Sequence, residues 1–183
     1  MTHSYMKETN SKITLVQSAM YYGIFLGTFL LVRFVVAIYA VDAIFLSLLL
    51  LLLTAFIPFV AYILAIQYKK SLPNQDVSYY QVYIYTFFLF VFASLIVSIA
   101  QYVFYQFISP DFLLHQYQLL LDKSELVMTE IPQMGTFFED FKKQGVPTAI
   151  AVSSQNVWIY SFFGMMIGLV LGFIVRTKQK PQA

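Results

Sequence analysis

Arg33 is the one charged side chain well inside a long apolar run, and an arginine held there could bind an anionic group. Two placements are open to it. It can run its aliphatic stem up to the nearer membrane interface, one or two helical turns away. Alternatively, it can turn inward and meet a ligand or a neighbouring helix. A second set of polar residues bears on that choice. Ser94, Ser98, Gln101 and Tyr105 recur at spacings of four, three and four, which aligns them on one stripe of a helix. A polar stripe in a membrane prefers another helix or a water pocket to lipid. Gln101 falls at about the depth of Arg33, and Asp42 lies near the adjoining turn. Arg33, Asp42, Ser94, Ser98 and Gln101 are therefore the candidate intramembrane polar cluster. It would serve either as helix-packing hydrogen bonds or as a ligand pocket.

Other chemistry is sparse. The chain has no Cys, so disulfides, thiolate metal sites and cysteine nucleophiles are excluded. Its two histidines are His3 and His115. Asp111 and His115 stand four apart on one helix face, but a metal or acid–base site needs a third group. No HExxH, GxSxG, phosphate-binding loop or dinucleotide fingerprint occurs. No acid sits in the middle of an apolar run, as proton-coupled carriers commonly require, and the two halves show no inverted repeat. The expectation is a non-enzymatic protein with no catalytic residue, metal or cofactor.

The elements that position these residues follow from composition. The 183 residues are 60% hydrophobic and 11% charged, against about 25% charged in soluble domains. A soluble fold of this size could not cover that apolar surface, so the lipid bilayer is the first partner. No basic tract with interleaved aromatics points to nucleic acid. Residues 13–68 form a nearly unbroken apolar run. As one helix it would be about 80 Å long, against a hydrocarbon core of about 30 Å, so it must cross twice. Asp42 marks the turn and is placed to cap the second helix. The predicted spans are about 15–38, 43–67, 79–107 and 156–175. The first is too long for the apolar core of a cleaved signal peptide. The reading is a single all-α membrane domain over 1–183: a four-transmembrane-helix bundle with an extramembrane amphipathic helical segment between the third and fourth spans.

Four crossings place both termini and the 69–78 loop on one side. That side carries Lys7, Lys12, Lys69, Lys70, Arg176, Lys178 and Lys180, while the other has Lys123, Lys142 and Lys143. The positive-inside rule then sets both termini in the cytoplasm, with an inner membrane as the location. The segment between the third and fourth spans faces out. Ser109-Pro110-Asp111 reads as a helix start. Leu113, Tyr117, Leu120, Val127 and Ile131 then follow at near-helical spacing, giving an amphipathic helix over about 110–131. Thr136 and Glu139 match a capping box for a second, short helix over about 137–144. Its Phe137, Phe138 and Phe141 make a candidate partner surface. The polar faces are acidic, unlike those of helices that bind anionic lipid.

Two small-residue stripes carry a packing signal. The first span has Ala19, Gly23 and Gly27, and the fourth has Gly164, Gly168 and Gly172. Such spacing lets backbones approach closely. The stripes lie at equal depth, so the first and fourth spans are predicted to touch there, within one chain or across a homo-oligomer. In the second span Pro58 removes a backbone donor and frees the carbonyl of Thr54, which predicts a kink.

The order of features resembles a family of small bacterial four-helix membrane proteins that constitute a domain of unknown function. The matching parts are Tyr21-Tyr22-Gly23, Tyr105-Gln106-Phe107-Ile108-Ser109-Pro110-Asp111-Phe112, the acidic outer helices, and Phe162-Phe163-Gly164 with the basic tail behind it. The resemblance implies the four-span topology and no functional residue. Two functions fit the whole sequence. One is an accessory or assembly subunit that binds a membrane-protein partner through its outer helices. The other is a small transporter or channel component with a polar site around Arg33 and Gln101.

Overall fold

Polar breaks divide the apolar runs, and the helices follow those breaks. The computed structural model describes residues 2–40, 43–72, 75–130, 142–143 and 145–177. Among them are the helices α1 (Thr2–Tyr39), α2 (Ile44–Ser71), α3 (Tyr79–Val103), α4 (Asp111–Glu130) and α5 (Ala149–Val175). A π-helical turn, Phe104–Ile108, extends α3, and no strand occurs among the described residues. Leu15–Tyr39, Ile44–Ser71, Tyr79–Ile108 and Ala149–Val175 are each long and apolar enough to cross a bilayer. The protein is an all-α, multi-pass membrane protein.

Local sequence explains the boundaries. Helix α5 starts seven residues before Asn156, where the sequence reading began the fourth span. The polar run Ser153-Ser154-Gln155 resembles a loop, but Thr148 supplies a helix cap ahead of it. Its hydroxyl accepts from the N–H of Ala151 at 3.3 Å, and its carbonyl accepts from Val152 at 3.1 Å. The hydroxyl of Ser154 then donates back to the Ile150 carbonyl at 2.8 Å, so it does not break the helix. At the start of α2 the cap position falls on Ala43 rather than Asp42, which lies outside the described residues. Ser47 closes that turn by donating to the Ala40 carbonyl at 2.8 Å. Helix α2 continues as one element through Pro58.

The chain forms two compact units, one comprising residues up to Val97 and from Asn156 onward, the other Ser98–Gln155. In the first unit α3 is the central element. Val82, Tyr85, Thr86, Leu89, Phe90, Ala93, Ser94 and Val97 are all fully buried. Their alternating spacing of three and one makes a buried face too wide for one neighbour.

Both glycine stripes lie against that helix. A Cβ at Gly23 would sit 2.9 Å from the Phe92 Cβ, and one at Gly27 would sit 2.9 Å from the Ile96 Cδ1. On α5, Gly164 meets the Cβ and ring of Phe90, Gly168 meets Tyr83 and Thr86, and Gly172 meets Tyr79. Within one chain the expected glycine contact between the first and fourth spans is therefore corrected: the glycines of each stripe meet α3, not the other stripe. Equal depth shows that both helices can accept a close neighbour. It does not choose the neighbour, and the large side chains of α3 fill both grooves.

Tyrosines tie α1, α2 and α3 together. The rings of Tyr68 and Tyr85 stack at 4.1 Å, and Tyr22 meets Tyr85 edge-on at 6.4 Å. The buried Tyr85 hydroxyl donates to the Leu64 carbonyl at 3.2 Å. At the end of the unit that carries the C-terminus, Thr177 pairs with the segment before α3. Its N–H donates to the Val77 carbonyl at 2.9 Å, and its hydroxyl both accepts from Val77 N–H at 3.1 Å and donates to the Gln75 carbonyl at 3.1 Å. Lys69 Nζ donates to the last α5 carbonyl, Val175, at 3.0 Å.

The second unit turns the chain out of the third span. The Ser109 N–H reaches back to the Phe104 carbonyl at 2.9 Å, the five-residue bond of a π turn. Phe112 of α4 then packs on Phe104 and Tyr105 at 5.5 and 5.9 Å. Helix α4 covers the predicted outer amphipathic helix. Residues 131–141, with Phe137, Phe138 and Phe141, lie outside the described residues.

Candidate functional site

Arg33 sits six residues before the end of α1, about 9 Å along the helix. Helical side chains lean toward their own N-terminus. For α1 that direction is deeper into the membrane, away from the α1–α2 turn. The guanidinium follows it. Nε donates to the Thr54 hydroxyl at 2.9 Å, and Nη1 donates to the Tyr160 hydroxyl at 3.0 Å. Thr54 lies ten residues into α2, about 15 Å along it. The arginine therefore faces the bundle and does not snorkel to the interface.

These bonds fix which donors remain. The Thr54 hydroxyl spends its own hydrogen on the Leu50 carbonyl at 2.7 Å, so toward Arg33 it acts only as an acceptor. A guanidinium carries five N–H groups. Two are used here, which leaves three. The Tyr160 oxygen accepts from Arg33, and its hydrogen is not engaged by any described residue. No carboxylate among the described residues pairs with Arg33. The charge is thus held by two neutral oxygens, and the hydrogens that Arg33 and Tyr160 leave over are all donors.

The cluster opens into a cleft of about 480 Å³ between α1, α2, α3 and α5. Its floor is the buried pair Ile57 and Phe90, and its rim is the exposed set Thr54, Pro58, Ile159 and Phe163. Half-buried Arg33, Asn156, Tyr160 and Ile167 complete the lining. The rim residues come from the middle of α2 and α5, so the mouth faces sideways toward lipid. A volume in this range, mostly apolar with a few convergent polar groups, is the usual character of a small-molecule site.

No hydrogen bond joins Arg33 to the other described residues of the polar cluster expected from sequence. The Ser94 hydroxyl turns back to the Val91 carbonyl of its own helix at 2.8 Å. Ser98 and Gln101 are buried in the second unit, where the Ser98 hydroxyl has no hydrogen-bond partner among the described residues. Asp42 lies outside the described residues. Arg33 is joined instead by Thr54 and Tyr160, neither of which belongs to the expected cluster. Thr54 left a usable signal: counted from the α1–α2 turn it is only about 6 Å deeper than Arg33, within reach of an N-terminally directed arginine. Tyr160 left none, being one of 14 tyrosines in an apolar chain. Pro58 lines the cleft one turn below Thr54. Among the described residues no three His, Asp or Glu side chains come together as a metal site would require.

Residues 21–177 match the model of a family described as Protein of unknown function (DUF4199), and the chain belongs to that family. No curated protein and no solved structure matches the chain.

Proposed function

We propose that this member of a family of unknown function is a non-enzymatic, ligand-binding protein of a bacterial inner membrane, acting as a component of a transport or accessory system. Recognition centres on Arg33. The observation that carries the reading is the cleft itself: a full positive charge held by Thr54 and Tyr160, without a carboxylate partner among the described residues, in a pocket of about 480 Å³. An intramembrane charge with this environment is costly to keep, at about 3 kcal/mol or more, and that expense favours a role beyond helix packing. Both termini are assigned to the cytoplasm on the lysine and arginine bias.

Two experiments test this reading. The full-length protein, purified in mild detergent, should carry a bound small molecule visible by native mass spectrometry. Ile159→Trp, which fills the mouth of the cleft, should abolish it. Absence of any bound species from the wild-type chain would remove the binding function. For orientation, the chain has no Cys, so a single introduced thiol is unique. His115→Cys should react with an impermeant maleimide from outside intact cells and Lys70→Cys should not. The reverse pattern would invert the topology.

A further inference from the structure

We infer that the Arg33 cleft binds the carboxylate head of a single-chain, fatty-acid-like amphiphile that enters sideways from the bilayer. The inference rests on the ligand-binding reading above and narrows it to a chemical class.

Head-group chemistry comes first. Arg33 and Tyr160 leave over three guanidinium N–H groups and the Tyr160 O–H at the polar end. Four donors converging from Arg33 and Tyr160 call for an acceptor, and the Asn156 amide in the lining can serve in either role. The single fixed charge calls for one negative charge, because a second would stay uncompensated in a medium of low dielectric. A guanidinium presents its N–H groups as a planar fork that matches a carboxylate through two parallel bonds. Tyr160, already oriented by Arg33 at 3.0 Å, can add a bond from its side.

Shape and access supply the rest. Ile57, Phe90, Ile159, Phe163 and Ile167 give the cleft apolar walls suited to an aliphatic chain. Thr54 and Pro58 of α2 face Ile159 and Phe163 of α5 across the mouth, and all four are exposed. They lie ten or more residues inside their spans, at the depth of the hydrocarbon rather than the interface. A water-soluble anion has no direct path to an opening at that depth. A molecule already dissolved in the bilayer does.

The test is equilibrium binding of radiolabelled dodecanoate to the full-length protein in nanodiscs of zwitterionic phosphatidylcholine. Saturable binding is expected, displaced by unlabelled dodecanoate but not by equal concentrations of dodecanol or acetate. Arg33→Gln should weaken binding at least about tenfold, and Arg33→Lys, which keeps charge but loses the fork, should fall between. Tyr160→Phe should weaken it less than Arg33→Gln. Unchanged binding in Arg33→Gln, or equal displacement by dodecanol, would overturn the inference. Tighter binding of dodecyl phosphate than of dodecanoate would overturn the carboxylate assignment and leave the cleft as a binding site. A measurement that keeps Arg33 intact guards against a folding defect. In Ile159→Cys, dodecanoate should slow labelling by N-ethylmaleimide and dodecanol should not. Equal rates with and without dodecanoate would also overturn the inference. Loss of native-mass-spectrometry ligand from the wild-type chain would instead reject the binding reading itself.

Discussion

The guanidinium of Arg33 and the phenol of Tyr160 are 127 residues apart in the chain and 3.0 Å apart in space, with the arginine donating. That bond, with its companion to Thr54, pins α1, α2 and α5 to one another. It is also an expensive arrangement, because the charge is solvated by only two neutral oxygens. Stability and recognition should therefore respond in opposite directions to loss of the Arg33 charge.

Arg33→Leu is expected to leave the protein as stable as the wild type or more so, since an apolar side chain replaces a poorly compensated charge. Tyr160→Phe, which keeps the charge and removes an acceptor, should instead lose stability, by about 0.6 kcal/mol and no more than about 1.7 kcal/mol. Unfolding of both variants by titration with a denaturing detergent measures this. A loss of several kcal/mol in Arg33→Leu would show that the arginine serves the fold.

Glycine positions should rank by what an added methyl group meets. At Gly164 it meets the Cβ and Cγ of Phe90, atoms close to the backbone of a fully buried residue. At Gly172 it meets the ring of Tyr79 at 2.6 Å, the far end of a half-buried side chain that can swing away. Gly164→Ala should cost about 1–3 kcal/mol and Gly172→Ala clearly less. Equal losses in the same unfolding assay would contradict the assignment of Phe90 as the fixed partner. Displacement of Phe90, the floor of the cleft, should also weaken ligand binding in Gly164→Ala alone.

The Thr177 clasp gives a prediction at the end of the bundle. Thr177→Ala leaves the N–H of buried Val77 without its acceptor, a loss of about 1–3 kcal/mol. Thr177→Ser restores the hydroxyl and should behave as the wild type. Trypsin cleavage at Arg176 in detergent solution, faster in the alanine variant and normal in the serine variant, is the expected pattern. Equal rates in all three proteins would mean that the clasp does not hold the end of α5.

Tyr85 separates ring from hydroxyl. Tyr85→Phe keeps the 4.1 Å stack on Tyr68 and loses only the bond to the Leu64 carbonyl, which costs about 1 kcal/mol. Tyr85→Leu loses both, and the stacked pair adds about 0.5–1.5 kcal/mol. Near-ultraviolet circular dichroism should also change in the leucine variant and stay close to the wild type in the phenylalanine variant. Equal stability of the two variants would mean that the ring contributes nothing.

The sequence by itself determined the four spans, the two glycine stripes and the presence of an embedded arginine. Each is a local or one-dimensional property: an apolar run longer than the hydrocarbon is thick, a repeat of small residues every fourth position, a charge with apolar flanks. The start of α5 is not legible locally because Ser153-Ser154-Gln155 looks polar in isolation, while Thr148 caps a helix that carries those side chains with its backbone bonds already satisfied. The partners were decided by tertiary structure alone. A glycine stripe states that a neighbour can come close, and only packing chose α3 for both stripes. Arg33 states that a charge must be solvated somewhere. Its choice of Thr54 and Tyr160 over the serine and glutamine stripe of α3 depended on how α1, α2 and α5 rotate about their axes. That rotation is set by side-chain volumes summed over all four helices, and no single segment encodes it.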